Sequence, residues 1–267
     1  MKVDKNSSKE AGTYIVFKEN ETVELSLKDV FEEVTFTLIN GAQIELNIYE
    51  FSLKSKLNLF INENSKLNLH LISDTEMSLD ILGNVQNNGI LNIYFADLKT
   101  ANTTLNSNVI LLGDNAKSCF KFSSIAKENI KKLYNIGFNH VGKKTTSDFE
   151  GYGVALKNGE IDAKGISHIE KMSIKSYANQ MVKVILFDKE SKAKASPTLK
   201  IDCDDIVANH ACAIGSLNED HVFYLRSRGL SEEESRKLIT LGYLLPIEDN
   251  FDEEGKNKIK SFIKESF

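Results

Sequence analysis

Near the N-terminal end of the chain one tripeptide keeps returning. Leu46-Asn47-Ile48, Leu57-Asn58-Leu59, Leu67-Asn68-Leu69 and Leu91-Asn92-Ile93 share an apolar–polar–apolar pattern, and the run Ser55-Lys56-Leu57-Asn58-Leu59 recurs whole at Ser65 to Leu69. Alternation with period two is the mark of a strand with one buried face, and a spacing of about ten residues leaves room for one strand and a corner. Two architectures share that signal. One is an antiparallel sandwich, which general priors favour; the other is a β-solenoid, in which each segment supplies one wall of a coil. The likeness between segments favours the solenoid, because stacked equivalent positions put Leu and Ile on a continuous inner column and leave Asn and Lys outside. No proline occurs before Pro197, so these ladders can run uninterrupted.

With 267 residues the chain can bury a full core. Its 33 Lys and Arg against 38 Asp and Glu give a net charge of −5, spread along the chain, which argues against nucleic acid or an anionic membrane as main partner. Cys119, Cys203 and Cys212 show no C-x-x-C spacing and suggest no disulfide framework; a reducing cytosol fits best. The opening MKVDKNSSKEAG lacks an apolar signal region, and there is no run of about 18 apolar residues, so neither secretion nor membrane insertion is expected. Residues 1–12 are polar and expected to fray. Strands are expected from Tyr14 to about Ala208. AKENIKKL, Ala126 to Leu133, allows a short helix. Gly137, Gly142, Gly151, Gly153, Gly159 and Gly165 lack phosphate-cradling spacing and read as corners.

Toward the C-terminus the period changes. Leu199, Ile201 and Cys203 alternate with Lys200, Asp202 and Asp204, as in a strand with one buried face. Beyond Gly215, Val222 and Leu225 fall at helical spacing from Asn218, and Gly229 ends that helix. Ser231 with Glu234 forms a capping box, Leu238, Leu241 and Leu245 make the stripe of a second helix, and Pro246 stops it. Ile259, Phe262, Ile263 and Phe267 predict a third helix packed on this hairpin.

The run from Pro197 through Asp204-Asp205-Ile206, the isolated His210, Gly215, and EDHVFYLRSRGLSEEE resembles the C-terminal core of the SufB/SufD family, scaffold subunits of iron–sulfur cluster assembly. His140, Thr146, Ser147, Gly153, Gly165 and Asn179-Gln180 fit the same pattern, so the likeness runs from about Phe138 to the end. It implies a mainly β fold: a right-handed parallel β-helix over residues 13–215, with a small C-terminal helical domain over 216–267 and helices covering the end of the β-helix. Typical members carry a helical region before the β-helix, whereas here the strand pattern begins almost at once.

The resemblance also implies site residues. His210 falls at the family's histidine, a candidate for a metal-proximal or cluster-proximal role. By residue type alone, an isolated histidine near a strand end is more often a hydrogen-bonded structural residue. Cys212, two positions on, would leave the same strand face and is a second ligand candidate. The alternative is a small buried hydrophobe, the commoner role. Cys203 reads as core, Cys119 as core filling, Asp202 to Asp205 as surface charge with a corner at Asp204-Asp205. Met181 occupies the place of the thiolate of SufB-type subunits, and Ala211 the place of their glutamate, both as in a SufD-type subunit. All three arginines, Arg226, Arg228 and Arg236, lie in the helical hairpin; Tyr224, Arg226 and Arg228 are the candidates for binding a SufC-type ABC ATPase. The chain is thus expected to be a non-catalytic, cytoplasmic SufD-type subunit pairing with a SufB-type partner or itself. Any iron–sulfur cluster would be held transiently, in the assembled complex only. The alternatives are a carbohydrate-active β-helix enzyme and an interaction solenoid without chemistry.

Overall fold

The computed structural model describes residues 13–27, 33–73 and 75–266. The first twelve residues, expected to fray, and Phe267, expected in the third helix, lie outside these.

The strands in chain order are β1 Thr13–Phe17, β2 Glu21–Ser26, β3 Glu33–Leu38, β4 Gln43–Glu50, β5 Lys54–Ile61, β6 Lys66–Ile72, β7 Met77–Val85 and β8 Ile90–Asp97. They continue with β9 Thr103–Leu111, β10 Lys117–Lys127, β11 Lys131–His140, β12 Thr146–Leu156, β13 Glu160–Ile169, β14 Ser176–Leu186, β15 Lys192–Ile201 and β16 Ile206–Ser216. Every pairing is parallel and joins strands two apart, so odd-numbered strands form one eight-stranded sheet and even-numbered strands another. A chain that alternates between two parallel sheets in this way is a parallel β-helix with two walls, as expected.

The repeated tripeptide alternates between walls: Leu57-Asn58-Leu59 lies on β5, the other copies on β4, β6 and β8. Asn68 stacks on Asn92, whereas Leu46 stacks on Leu69, an offset of two residues. An even offset keeps every Leu on the inner face, where a shift of one would turn the set outward. The coil lengthens along the solenoid, from 23 residues between Asn47 and His70 to 31 between Asp148 and Asn179.

Inner columns run the length of the even sheet. One reads Val23, Leu46, Leu69, Ile93, Phe120, Phe149, Gln180, His210; its neighbour reads Leu25, Ile48, Leu71, Phe95, Phe122, Gly151, Val182, Cys212. From Leu46 to Phe149 and from Ile48 to Phe122 the members are buried, each apolar side chain contributing about 1.5–3 kcal/mol. The glycines divide into two groups. Gly142 and Gly159 stand at corners, where a Cβ would fall on the Gly113 and Ala126 carbonyls of the coil before. Gly137, Gly151, Gly153 and Gly165 lie inside strands, contrary to the corner reading; at Gly151 and Gly165 the rings of Phe122 and Phe149 fill the space a side chain would need.

No helix forms at Ala126 to Leu133. The chain turns there, with Glu128 and Asn129 at φ 60° and 64°, and enters β11. The helical spacing was misleading because Lys132 points inward. Its ammonium, fully buried, lies 2.5 Å from Asp97 and bonds the Lys99 carbonyl and Thr103, while Tyr134 donates to the other Asp97 oxygen at 2.6 Å.

Three α-helices follow: α1 Glu219–Ser227, α2 Glu232–Leu244 and, after a 3-10 turn at Leu245–Asn250 that contains Pro246, α3 Glu253–Glu265. Asn218 caps α1, Gly229 turns the chain at φ 98°, and Ser231 and Glu234 form the expected capping box. The helices do not cover the end of the solenoid. They lie along its flank, on the outer face of the even sheet, where Val222, Leu244, Ile259 and Ile263 share one apolar cluster with Ile72, Ala96, Ile125 and Val154. The physical reason is that these outward positions are apolar and offer the helical stripes several coils of surface. Polar ties fasten the layer: Asp252 caps α3 and accepts from Asn47 (2.6 Å) and Tyr49 (3.1 Å), and Arg236 donates to the Phe187 carbonyl.

Candidate functional site

Because the helices turn back along the flank, no strand or helix among the described residues lies beyond the last coil. β15 pairs only with β13, and β16 only with β14, so both present a free edge. Their residues are mostly exposed, including Ile201, Val207 and Ile214. Ile201 therefore departs from the buried face assigned to it, while Cys203, just beyond the strand, is buried between Ile169 and Ala178. A free edge of this kind is a template for pairing with another chain.

His210 and Cys212 sit on β16 and are exposed. They close the two inner columns described above: His210 lies over Gln180, and Cys212 over Val182. Gln180 is buried and donates to Ser167 (2.8 Å) and the Thr198 carbonyl (3.1 Å), so the inner column turns polar just beneath the histidine. On the opposite, outer face Met181 and Ala211 are register partners. The site residues read from the sequence thus fall on two faces of one sheet edge, imidazole and thiol inside, thioether and methyl outside.

Other candidates are spoken for. Asp202 bonds His168 at 2.8 Å, and Asp204 and Asp205 make the corner between β15 and β16. Among the described residues no group of three or more His, Cys, Asp or Glu could hold a metal ion. Cys119 is not lumen filling; it stacks between Asn92 and Asp148 on the outer face, and burial pushes its thiol up to about 12, which leaves it a poor nucleophile. His140 is sealed in the wall, bridging Thr145 and Ser147 at 2.7 and 2.8 Å, and burial lowers its pKa to about 4. His70 is lowered to about 4 for the same reason; its Nδ1 donates to Asn47, and its ring stacks on Tyr94.

On α1 and at its C-cap, Arg228, the three candidate contact residues differ in freedom. Arg228 stacks on Tyr224, its guanidinium carbon 5.2 Å from the ring centre, and donates to the Tyr224 hydroxyl at 3.2 Å. Arg226 reaches Glu232 only at 3.8 Å and is well exposed. Sequence reading missed Phe223, at 74% the most exposed large apolar side chain among the described residues. It stands off the Val222–Leu225 stripe, and a large aromatic on the polar side of an amphipathic helix was the available signal. Leu238 of α2 is also exposed, so the hairpin carries apolar surface that the solenoid does not cover. Among the described residues no helix is long and apolar enough to cross a membrane.

The family model described as "SUF system FeS cluster assembly, SufBD core domain" matches residues 22–243. A protein of Bacillus subtilis called "Iron-sulfur cluster assembly protein SufD" is 28% identical over 148 residues, 55% of this chain and 34% of that protein. An "Iron-sulfur cluster assembly SufBD family protein" of Staphylococcus epidermidis is 24% identical over 180 residues, 67% of this chain and 39% of the relative; a Staphylococcus aureus relative matches to the same extent. The chain thus aligns with well under half the length of these relatives. A two-walled parallel β-helix with an open last coil, matched over residues 22–243, makes this chain a member of the SufBD core-domain family of the SUF iron–sulfur cluster assembly system.

Proposed function

We infer that the chain acts as a SufD-type subunit of a cytoplasmic SUF assembly complex, a scaffold without catalysis of its own. The observation that carries this is the arrangement on the last coil. The free β16 edge presents His210 beside the register partners Met181 and Ala211, which by the resemblance stand where a SufB-type subunit has its thiolate and glutamate. A thioether and a methyl can neither accept sulfur as a thiolate does nor bind a proton. An imidazole can be a neutral ligand or a proton carrier near neutral pH. The cluster is cargo in this reading. His210 supplies one contact to it, with the remaining ligands from the chain paired on the β16 edge, a SufB-type subunit or a second copy. Phe223, Tyr224 and Arg226, exposed on α1, suit the docking of a SufC-type ABC ATPase, since aromatic and arginine side chains are enriched where proteins meet.

The test is co-expression with a SufB-type subunit and a SufC-type ATPase, followed by co-purification and assay of iron and acid-labile sulfide. His210→Ala should leave the isolated chain's melting temperature nearly unchanged and cut the cluster content of the complex. Phe223→Ala with Arg226→Ala should weaken ATPase co-purification. Unfolding of the isolated chain by His210→Ala with cluster content intact would make that histidine structural.

A further inference from the structure

The closed part of the β-helix holds a buried nucleophile that the proposed function does not use. Lys132 is the second residue of β11 and Asp97 the last of β8, so the pair joins the odd sheet to the even sheet across 35 positions of the chain. Both side chains are fully buried, and Nζ stands 2.5 Å from Asp97 Oδ1, closer than the about 2.7–2.9 Å usual for a charge-assisted hydrogen bond. The Lys99 carbonyl at 3.0 Å and the Thr103 hydroxyl at 3.3 Å accept the other ammonium hydrogens and fix the nitrogen in place. When the hydrogen between Nζ and Oδ1 passes to the carboxylate, the lone pair it leaves points back at that carboxyl group. The ion pair becomes an amine facing an acid, and separated charge is least stable where water is absent. The second carboxyl oxygen, Oδ2, accepts from Tyr134 at 2.6 Å, and Ser124 stands 2.8 Å from the same hydroxyl. Burial, with the Asp97 charge, raises the Tyr134 pKa well above the usual tyrosine value, so the hydroxyl stays a donor. Phe122 stacked at 4.3 Å and Phe95 edge-on at 6.2 Å hold its ring in that position.

We propose that Lys132 and Asp97 condense into an isopeptide bond, a covalent tie that the chain makes for itself between the two walls of the β-helix. The step balances without a further reagent. The Nζ–Cγ bond forms, the Cγ–Oδ1 bond breaks, and Oδ1 leaves as water with two hydrogens from the ammonium, one passed before the attack and one after it. No atom is oxidised or reduced, and the two charges cancel. Tyr134 aims its O–H at Oδ2, the oxygen that carries the charge of the tetrahedral intermediate, as an oxyanion donor does. Groups held in reacting geometry behave as if at effective concentrations of about 10⁵–10⁸ M, and a site closed to water does not return the amide by hydrolysis. The pair Lys121 and Glu150, at 3.0 Å on the outer face, shows the contrast: both side chains reach solvent, and no hydroxyl donor stands on the carboxylate.

The intact mass of the denatured full chain tests this. The expected value is one water below the encoded mass, and a tryptic digest should contain a branched peptide that joins the segments of Asp97 and Lys132, with no cut after Lys132. Lys132→Met should show its full encoded mass, whereas Lys121→Met should still lack one water. Tyr134→Phe keeps the ring and removes the donor; it should slow condensation by on the order of a hundredfold, read as the linked fraction in samples taken at intervals after purification. A chain that keeps its full encoded mass after prolonged incubation overturns the proposal, and so does a lost water that the digest places away from Asp97 and Lys132. Tyr134→Phe that links as fast as the unaltered chain removes the donor from the mechanism and leaves the bond standing.

Discussion

The middle coils and the last coil use the same columns of positions in opposite surroundings. At Phe120 and Phe149 a side chain has a coil above, a coil below and the other wall opposite, and it is buried completely. At His210 the column is the same, the coil above is missing, and the residue is exposed. A charged group in the closed part is costly unless it finds its partners within the wall. Lys132, Asp97, Tyr134 and Ser124 do so, with every contact made inside one network. A polar group in the open part is under no such demand, which leaves His210 and Cys212 free for another molecule. Inside the solenoid polarity is a matter of stability; at its mouth it is available for binding.

The largest expected effect would break that comparison from the closed side. Asp97→Ala leaves the Lys132 ammonium buried without its counter-charge and should cost about 3–5 kcal/mol, read from denaturant unfolding. Replacing Asp97 and Lys132 together with apolar residues should restore much of it. If Asp97→Ala is neutral, the network is not what holds these coils.

Acid sharpens the comparison next. His140 and His70 have pKa values lowered by burial to about 4 from 6.5, His140 also by the charge of His168, while Asp252 pulls His70 the other way. Above about pH 6.5 both are neutral folded or unfolded, and their contribution is fully present. As pH falls toward 4 the unfolded chain takes up protons that the folded chain refuses, so stability drops by on the order of 2–3 kcal/mol per histidine. His140→Gln should flatten part of that slope in unfolding curves taken between pH 7 and 4. An unchanged slope would mean that His140 is not sealed.

The flank layer stands between the two regimes. Asp252→Ala removes the cap of α3 and the acceptor for Asn47 and Tyr49, and about 1–2 kcal/mol should go with it. Faster amide exchange confined to α3 and the neighbouring β4 would confirm a local release. The smallest effect belongs to the mouth: Ile214→Ala on the open edge should shift the isolated chain by no more than about 0.5 kcal/mol. Phe149→Ala in the closed part should cost about 3–5 kcal/mol.

Much of the fold was legible. Alternation at Leu57-Asn58-Leu59 named the inward residues, and Ser231 with Glu234 named a helix start, because strand period and helix caps are written in residues that are neighbours in sequence. The reading failed where the deciding partner is distant. Lys132 gave AKENIKKL a helical look, and only Asp97, 35 positions away, explains why a lysine points inward. Gly151 and Gly165 read as corners until the rings of Phe122 and Phe149 took up the space beside them. Half of the candidate site was legible in the same sense: His210 and Cys212 share a face by period alone, but Phe223 became noticeable only once α1 had a packed side and a bare one.

By itself, then, the sequence determined the period of the strands, the inward Leu and Ile of the repeated tripeptides and the starts of the capped helices, since each depends on contacts within a few residues. The tertiary structure alone decided that the helices turn back along the outer face of the even sheet and leave β16 uncovered. That choice rests on apolar surface gathered from several coils, Ile72, Ala96, Ile125 and Val154, each a full coil from the next. No local pattern carries such a sum, and it is what places His210 and Cys212 at an open mouth instead of under a helix.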